Sequence, residues 1–287
     1  MKYGMPYKGS KNAIVEKIIN ALPKAENFYD LFGGGGAISH CAVLSGKYKH
    51  VYYNELEPLI YKGFKMAING EFKNEKRWIS REDFFKLKDT DPYAAMCFSF
   101  GNDLRSYVYS PENEKLKKEV HEMLVAESVQ DRRHKWVKLV HMICSMGKVR
   151  ERQLTDLQRL ERLQSLQSLQ RLQSLQSLQS LERLECTNLS YEQVKIKPNS
   201  VVYCDIPYKG TSKYKTEFDH DKFYEWALKQ PFEIYISEYD MPKEFMVCGE
   251  WEKRVTLSSN NRAKAKEKIF CNKSDTEVKQ WTQGSLL

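Results

Sequence analysis

Four consecutive glycines, Gly33 to Gly36, constrain the fold of this chain more than any other feature. They follow a strand-like run, Asn27-Phe28-Tyr29, and open an apolar segment that predicts a helix. Glycines between a strand and a helix let the backbone pass close to a ligand, while the amino end of the helix faces that ligand. No Gly-Lys-Ser/Thr sequence follows, which disfavours a phosphate-binding P-loop. The turn therefore predicts a nucleotide-type site in an α/β sheet.

Two further strand-like runs end in acidic residues. The run from His50 leads to Asn54-Glu55, roughly 20 residues beyond the glycines, the distance at which such folds bind a ribose hydroxyl. The run Val201-Val202-Tyr203 leads to Asp205. Open α/β sheets bind ligands beyond the carboxyl ends of their strands, so Glu55 is predicted as a ribose ligand and Asp205 as a group for chemistry. For Asp205 alone, an ordinary turn after a strand is the alternative.

Four segments, taken in order, resemble the motifs of the Dam-like DNA adenine methyltransferases. They are Tyr7-Lys8-Gly9-Ser10-Lys11, Phe32 to Gly36, Asn54-Glu55 and Asp205-Ile206-Pro207-Tyr208. The resemblance extends over residues 1–110 and 196–272 and departs from the family at Ile206, where the family has proline. It implies a doubly wound, Rossmann-like methyltransferase sheet, S-adenosylmethionine as cofactor, double-stranded DNA as partner, and a bacterial or phage origin.

The same resemblance implies a division of the chain and a set of site residues. The catalytic domain would comprise residues 1–110 and 187–287, with a helical target-recognition insertion at 111–186. Asp205 and the carbonyl of Ile206 would accept the two amino hydrogens of an adenine, Pro207 would stiffen the turn, and Tyr208 would stack on the base taken out of the duplex. The residues predicted to contact the cofactor are Tyr7, Lys11, Asp30, Phe32, Gly34, Gly36, Glu55 and Asp205. For the Tyr7 to Lys11 turn, a helix cap by Ser10 is the alternative.

Basic residues outnumber acidic ones, with 46 Lys and Arg against 38 Asp and Glu and a net charge of +8. Such a charge suits a polyanionic partner, because contacts to phosphates dominate the affinity for DNA. Three segments carry the predicted DNA contacts, although basic runs also occur as solvated faces. Their residues are Arg132, Arg133 and Lys135, then Lys209 and Lys213, and finally Arg262 and Lys264.

Leucine recurs at every third position from Leu154 to Leu184, eleven times without interruption. An α-helix turns roughly 100° per residue, so these leucines would circle it. A 3₁₀ helix would align them in one ridge, although 3₁₀ runs rarely exceed about four residues. We predict a long 3₁₀-like helix that packs on a neighbouring helix or forms a homodimer; the alternative is a low-complexity expansion that is α-helical or disordered.

Other classes of protein are disfavoured by composition. Seven cysteines without a Cys-x-x-Cys spacing suit neither a disulfide scaffold nor a zinc site, so no metal is expected. No apolar run approaches the roughly 20 residues of a membrane span, and a cytoplasmic protein is expected. Two alternatives to DNA adenine methylation stay open: methylation of RNA or of a protein amide, and a catalytically degenerate DNA-binding module.

Periodicity predicts the remaining elements. Ser80 should cap a helix through Asp83, with adenine binding by Asp83 as the alternative. The apolar run that begins at residues 94–98 is predicted to form a buried strand that delivers Gly101 and Asn102 to the surface. The resemblance implies that this stretch lines the cofactor and target pocket, and an ordinary strand with a turn is the alternative. Helices are predicted at 11–22, 57–68, 111–146 and 220–229, a strand at 232–237, and a closing hairpin from 254–257 and 268–271.

Overall fold

The computed structural model describes residues 3–145, 163–176, 183–209, 218–254 and 264–273. The chain divides into two compact units: the first is Met1–Gly4, Ser10–Tyr61 and Leu178–Leu287, and the second is Met5–Gly9 and Lys62–Ser177. The units therefore divide at Tyr61, whereas the predicted domain boundary fell at residue 110. The roles assigned to the two predicted domains stay predictions.

The first unit is built on a mixed seven-stranded sheet with the order β3-β2-β1-β4-β5-β7-β6. The neighbouring strands from β3 to β5 pair in parallel, while β7 is antiparallel to both β5 and β6. The strands are β1 (Asn27–Asp30), β2 (His50–Asn54), β3 (Leu184–Thr187), β4 (Ser200–Cys204), β5 (Ile234–Glu238), β6 (Met246–Arg254) and β7 (Lys264–Cys271).

Helices cover both faces of this sheet: α1 (Val15–Ala21), α2 (Ala37–Ser45) and α9 (His220–Lys229). Alternate residues of a strand point to opposite faces. Tyr29 packs in one apolar cluster with Phe223 of α9. Asp30, the next residue, bonds Ser39 of α2, so α2 covers the other face. This arrangement confirms the predicted α/β, Rossmann-like fold.

The described residues of the second unit form helices and the turns that connect them, with one isolated β-bridge between Ser99 and Tyr107. Its helices are α3 (Pro58–Ile68, which begins in the first unit), α4 (Arg81–Leu87), α5 (Pro92–Cys97), α6 (Pro111–Leu124), α7 (Val129–Ser145) and α8 (Gln164–Ser174). The helix predicted over 111–146 is thus two helices. Ser80 caps α4 by accepting from the Asp83 amide at 3.1 Å, which confirms the capping prediction.

The strand predicted at residues 94–98 is wrong. Asp91 accepts hydrogen bonds from the amides of Tyr93 and Ala94, and Pro92 occupies the first helical turn, so the segment begins as helix α5. A short apolar run does not distinguish a strand from a buried helix, and here the cap decides. Asn102 does follow, but its side chain donates to the Met96 carbonyl at 2.9 Å and to another side chain of this unit.

The described part of the leucine tract does not form the predicted long 3₁₀ helix. Residues 164–174 form an α-helix rather than a 3₁₀ helix, and Leu184 opens strand β3. Leu163, Leu169 and Leu172 are buried, and α8 packs against α5 within the second unit. Ser165 bonds the Tyr109 hydroxyl at 2.8 Å, so polar positions of the tract contribute to packing as well. Residues 154–162 and 177–182 of the tract lie outside the described residues.

Candidate active site

The carboxyl ends of four parallel strands meet at one edge of the sheet in the first unit. Asp30 ends β1, Asn54 ends β2, Asp205 follows β4 and Glu238 ends β5. The amide of Leu31 donates to the Tyr203 carbonyl at 3.0 Å, which joins the chain leaving β1 to the chain leaving β4. The glycine turn and the Asp-Ile-Pro-Tyr segment therefore leave adjacent strands.

The glycine turn is packed so closely that side chains are excluded. A Cβ at Gly33 would lie 2.3 Å from the ring of Tyr53, and the Gly33 amide donates to the Asn54 carbonyl at 2.8 Å. Gly34 and Gly36 have φ values of 48° and 70°, in the left-handed region that glycine adopts without strain. The Tyr53 hydroxyl donates to the Gly34 carbonyl at 2.8 Å, so β2 fixes the turn from one side.

A glycine near the start of the chain fixes the turn from another side. Gly4 has a φ of 66°, and a Cβ there would lie 2.4 Å from the Gly35 carbonyl oxygen. Its amide donates to Nδ1 of His40 at 3.0 Å. Burial lowers the pKa of His40 to about 4, so the ring is neutral and can accept this bond at neutral pH. Sequence reasoning did not single out Gly4 or His40.

Glu55, the predicted ribose ligand, also contacts the turn. Its Oε2 accepts from the Gly34 amide at 2.7 Å, and its Oε1 accepts from the Glu57 amide at 2.8 Å. Burial raises the pKa of Glu55, while these amide bonds act in the opposite direction. Each carboxylate oxygen can accept a second hydrogen bond, so Glu55 retains capacity for a ligand hydroxyl.

Asp30 lies at the amino end of α2. Its Oδ2 accepts from the Ser39 hydroxyl at 2.7 Å and the Ser39 amide at 3.2 Å, so it caps the helix from the neighbouring strand. Its Oδ1 is buried and has no hydrogen-bond partner among the described residues. Burial raises the pKa of Asp30 to about 7 against the Ser39 hydrogen bonds, with Asp205 and Glu55 raising it further.

The Asp-Ile-Pro-Tyr segment is held at several points. Ile206 is buried in the apolar cluster beneath α9, which accounts for an apolar residue at this position. The carbonyl of Pro207 accepts from Nε2 of His220 at 2.7 Å. Tyr208 meets the ring of Tyr239 edge to face, with centroids 4.7 Å apart. The turn is thus anchored to the helix and strand that follow it.

Lys11 lies at the centre of a buried polar cluster. Its ammonium is 2.7 Å from Oδ1 of Asp205, 3.0 Å from Oε1 of Glu267 and 2.5 Å from the Tyr208 hydroxyl. The Tyr208 hydroxyl also donates to Glu267. Burial alone lowers the pKa of Lys11, but Asp205 and Glu267 outweigh it and leave that pKa above its ordinary value of 10.5.

The structure brings the side chains of Lys11, Asp30, Glu55, Asp205 and Tyr208 to this edge, together with Gly34 and Gly36 of the glycine turn and Ile206 and Pro207 of the Asp-Ile-Pro-Tyr segment. Phe32 instead packs its ring among aromatic side chains, 5.5 Å from Tyr191 and 5.7 Å from Phe218 and Phe223. Tyr7 belongs to the second unit. The contacts predicted between Tyr7, Phe32 or the other residues and the cofactor stay predictions.

The predicted DNA contacts are only partly described. Arg132 and Arg133 are exposed on α7, while Lys135 is paired with Asp131 at 3.0 Å. Lys209 is exposed beside Tyr208, and its amide donates to Glu238 at 3.2 Å. Lys213, Arg262 and the side chain of Lys264 lie outside the described residues.

Two acids of the site were missed by sequence reasoning, Glu238 and Glu267. Glu238 ends β5, and burial raises its pKa. Glu267 shares a face of β7 with the buried residues Ile269 and Cys271. A charged residue at an inward position of a strand was the signal for Glu267, but the predicted strand began only at residue 268.

A profile of the D12 class N6 adenine-specific DNA methyltransferases matches residues 7–235, from the Tyr7 segment to β5. The chain belongs to this family. This D12 methyltransferase is therefore an adenine-specific DNA methyltransferase, which confirms the predicted family and enzyme class. No curated protein sequence gives a significant match.

The described residues of this D12 methyltransferase were compared with the requirements of a metal site and of a membrane span. Among the described residues, no group of three or more His, Cys, Asp or Glu could hold a metal ion. Within the same residues, no helix is both long and apolar enough to cross a membrane.

Proposed function

We propose that this D12 methyltransferase takes its methyl group from S-adenosylmethionine and transfers it to the exocyclic nitrogen of an adenine turned out of double-stranded DNA. The observation that carries the proposal is the shared sheet edge, where the glycine turn after β1 adjoins Asp205 after β4. A cofactor bound at the glycine turn and an adenine base bound at Asp205 would lie next to each other at that edge.

The charge of the edge favours a cationic cofactor over a phosphorylated one. Asp30, Glu55, Asp205, Glu238 and Glu267 bring carboxyl groups to it, and the Lys11 ammonium is paired with two of them, Asp205 and Glu267. A phosphate would meet these acids and a glycine turn whose Gly34 amide already donates to Glu55. A sulfonium and an amino group would instead be attracted.

The polar groups present fit this cofactor. Oδ1 of Asp30 is buried without a partner among the described residues and can accept from an amino group, and Glu55 retains acceptor capacity for ribose hydroxyls. S-adenosylmethionine supplies, when bound, a methyl group on a positively charged sulfur. Phe32 completes the set that we assign to the cofactor from the first unit, and the cofactor contact of Tyr7 stays a prediction.

The chain's own contribution is the position of the acceptor groups. Adenine's amino nitrogen is a weak nucleophile because its lone pair is delocalised into the ring. Asp205 and the carbonyl of Ile206 accept its two hydrogens and so direct the lone pair outward, and Asp205 takes the proton that the nitrogen loses. Pro207 restricts Ile206 to extended geometry, and the Pro207 carbonyl is held by His220. Such catalysis consists mainly of positioning and electrostatics.

Tyr208 offers an aromatic face for the base outside the duplex, and a stacked base gains about 1–3 kcal/mol. Its hydroxyl is held by Lys11 and Glu267, so the ring has a fixed place before a base arrives. Among the described residues, we assign Arg132, Arg133 and Lys135 of α7 and Lys209 beside Tyr208 to the DNA phosphates. The leucine tract as a dimer interface stays a prediction.

The test is transfer of an isotopically labelled methyl group from S-adenosylmethionine to DNA, RNA and protein offered in parallel. We expect label in duplex DNA, on N6 of adenine after nucleoside digestion. Asp205→Ala should lower the rate at least about 100-fold and retain some cofactor binding. Asp240→Asn, at an exposed acid beyond β5, is the matched control and should transfer at the wild-type rate.

Three results would count against the proposal. Near-normal turnover by Asp205→Ala would remove the catalytic assignment. Label in RNA or protein alone would favour the other substrates. Cofactor binding without transfer to any DNA would indicate a catalytically degenerate DNA-binding protein.

A further inference from the structure

Glu267 is a buried acid on β7 that touches two residues of the site. Its side chain is 1% exposed, and its Oε1 contacts the Lys11 ammonium at 3.0 Å and accepts from the Tyr208 hydroxyl. Its Oε2 is buried and has no hydrogen-bond partner among the described residues. A carboxylate is removed from water at a large cost unless it is paired, so a residue of this type at this place calls for a physical account.

Packing alone does not supply that account. The inward neighbour on β7 is Ile269, and a leucine or methionine at 267 would bury apolar surface without an unpaired oxygen. Apolar replacements of buried ion pairs are often neutral or stabilising. An apolar residue at 267 would lose the ion pair with Lys11 and the hydrogen bond from the Tyr208 hydroxyl.

Lys11 is shared between two acids. Its ammonium lies 2.7 Å from Asp205 and 3.0 Å from Glu267, so its single positive charge is divided between them. Without Glu267, the whole ammonium would be available to Asp205 and would compete with the adenine amino group for the carboxylate oxygens. Glu267 thus takes up part of the positive charge of Lys11. The carboxylate of Asp205 is therefore a better hydrogen-bond acceptor for the adenine amino group.

We propose that Glu267 is a positioning residue for methyl transfer, which holds Lys11 and the Tyr208 hydroxyl so that Asp205 and the Tyr208 ring are oriented before the base arrives. This inference rests on the proposed function. Glu267 acts through its neighbours, so it should affect the transfer step more than the affinity for DNA or cofactor.

The experiment compares Glu267→Gln with Glu250→Gln. The glutamine at 267 keeps the shape of the side chain and removes its charge. Glu250 lies on the partner strand β6 in an exposed pair with Lys266, at 2.6 Å, and serves as the matched control. Single-turnover transfer is measured for both, together with the dissociation constants for DNA and S-adenosylmethionine.

We expect Glu267→Gln to slow single-turnover transfer by about 10- to 100-fold, the effect of a misoriented reacting group. Both dissociation constants should change by less than about 3-fold, and Glu250→Gln should match the wild type. Tyr208→Phe removes only the hydroxyl that Glu267 holds, and the double variant should be no more than about 3-fold slower than the slower single variant.

A second measurement needs no activity. The titration of Lys11 is followed by NMR in lysine-labelled protein, with Lys11→Met identifying the signal. Loss of one of two neighbouring carboxylates should lower the pKa of Lys11 in Glu267→Gln and leave it unchanged in Glu250→Gln.

The outcomes separate the two proposals. No methyl transfer by the wild type contradicts the proposed function. An active wild type with an unimpaired Glu267→Gln, an unchanged Lys11 titration, or independent effects of the two substitutions overturns only the role of Glu267. If Glu267→Gln does not fold, Tyr208→Phe decides: a loss of about 10-fold or more supports the role, and a wild-type rate overturns it.

Discussion

Replacement of Lys11 by methionine should destabilise the first unit strongly at neutral pH. The ammonium is 2.7 Å from Asp205 and 3.0 Å from Glu267, and the side chain is 5% exposed. At an effective dielectric constant of about 20, each contact amounts to roughly 6 kcal/mol of gross attraction. Desolvation of the ammonium offsets much of this, but methionine leaves the buried Glu267 and the partly buried Asp205 without this cation. We therefore expect a net loss of about 3–5 kcal/mol in the free energy of unfolding.

The loss should depend on pH. Asp205 and Glu267 hold the pKa of Lys11 above 10.5, so the stabilisation by its charged form is fully present below about that pH and is lost only as pH rises through the higher folded pKa. In Lys11→Met, protonation of the two acids relieves their repulsion as pH falls. The deficit should therefore be full near about pH 8 and smaller near about pH 5.

Urea unfolding followed by tryptophan fluorescence measures both quantities. Lys49→Met is the matched control, because Lys49 pairs with Glu26 at 3.2 Å with side chains 74% and 43% exposed. Such a surface pair contributes less than about 1 kcal/mol. Two results would refute this reasoning. One is an equal loss in the free energy of unfolding in Lys11→Met and Lys49→Met, and the other is a Lys11→Met loss that does not change between about pH 5 and pH 8.

Two further substitutions test the glycine turn and its neighbour. Gly33→Ala puts a methyl group 2.3 Å from the Tyr53 ring, so unfolding in urea should show a loss of about 1–3 kcal/mol, and wild-type stability would contradict the packing. Burial raises the pKa of Asp30 to about 7, so its contribution to stability is present below the unfolded value of 3.8 and is lost as pH rises through 7. The stability of Asp30→Asn relative to the wild type should rise by about 2–3 kcal/mol from pH 5 to pH 8, and a constant difference over that range would argue against a raised pKa.

The sequence was most informative where one local signal determined the structure. Strand-like runs that end in a turn predicted β1, β2 and β4, because buried strands are short, apolar and bounded by polar residues. Their carboxyl ends then had to share an edge, which brought Asp30, Glu55 and Asp205 together.

Structural features that depend on contacts between distant segments of the chain could not be predicted from local sequence patterns. The strand predicted at 94–98 is a helix because Asp91 and Pro92 begin it, and apolar content alone could not show that. Glu267 reaches the site because β7 pairs with β5, which lies next to β4. Gly4 matters only because the chain start packs on the glycine turn. Each of these depends on pairing between segments that are far apart in sequence.

The repetitive composition of α8 has a consequence for how this helix is positioned. Suppose that the helix slid along its own axis so that each residue took the place of the one three positions before it. Leucine would replace leucine, glutamine would replace glutamine, and only the places of Ser168 and Arg171 would receive a different side chain. Arg171 donates to the Met5 carbonyl at 2.7 Å. Among the described residues of the tract, the position of one arginine thus fixes the position of an otherwise uniform helix along its axis.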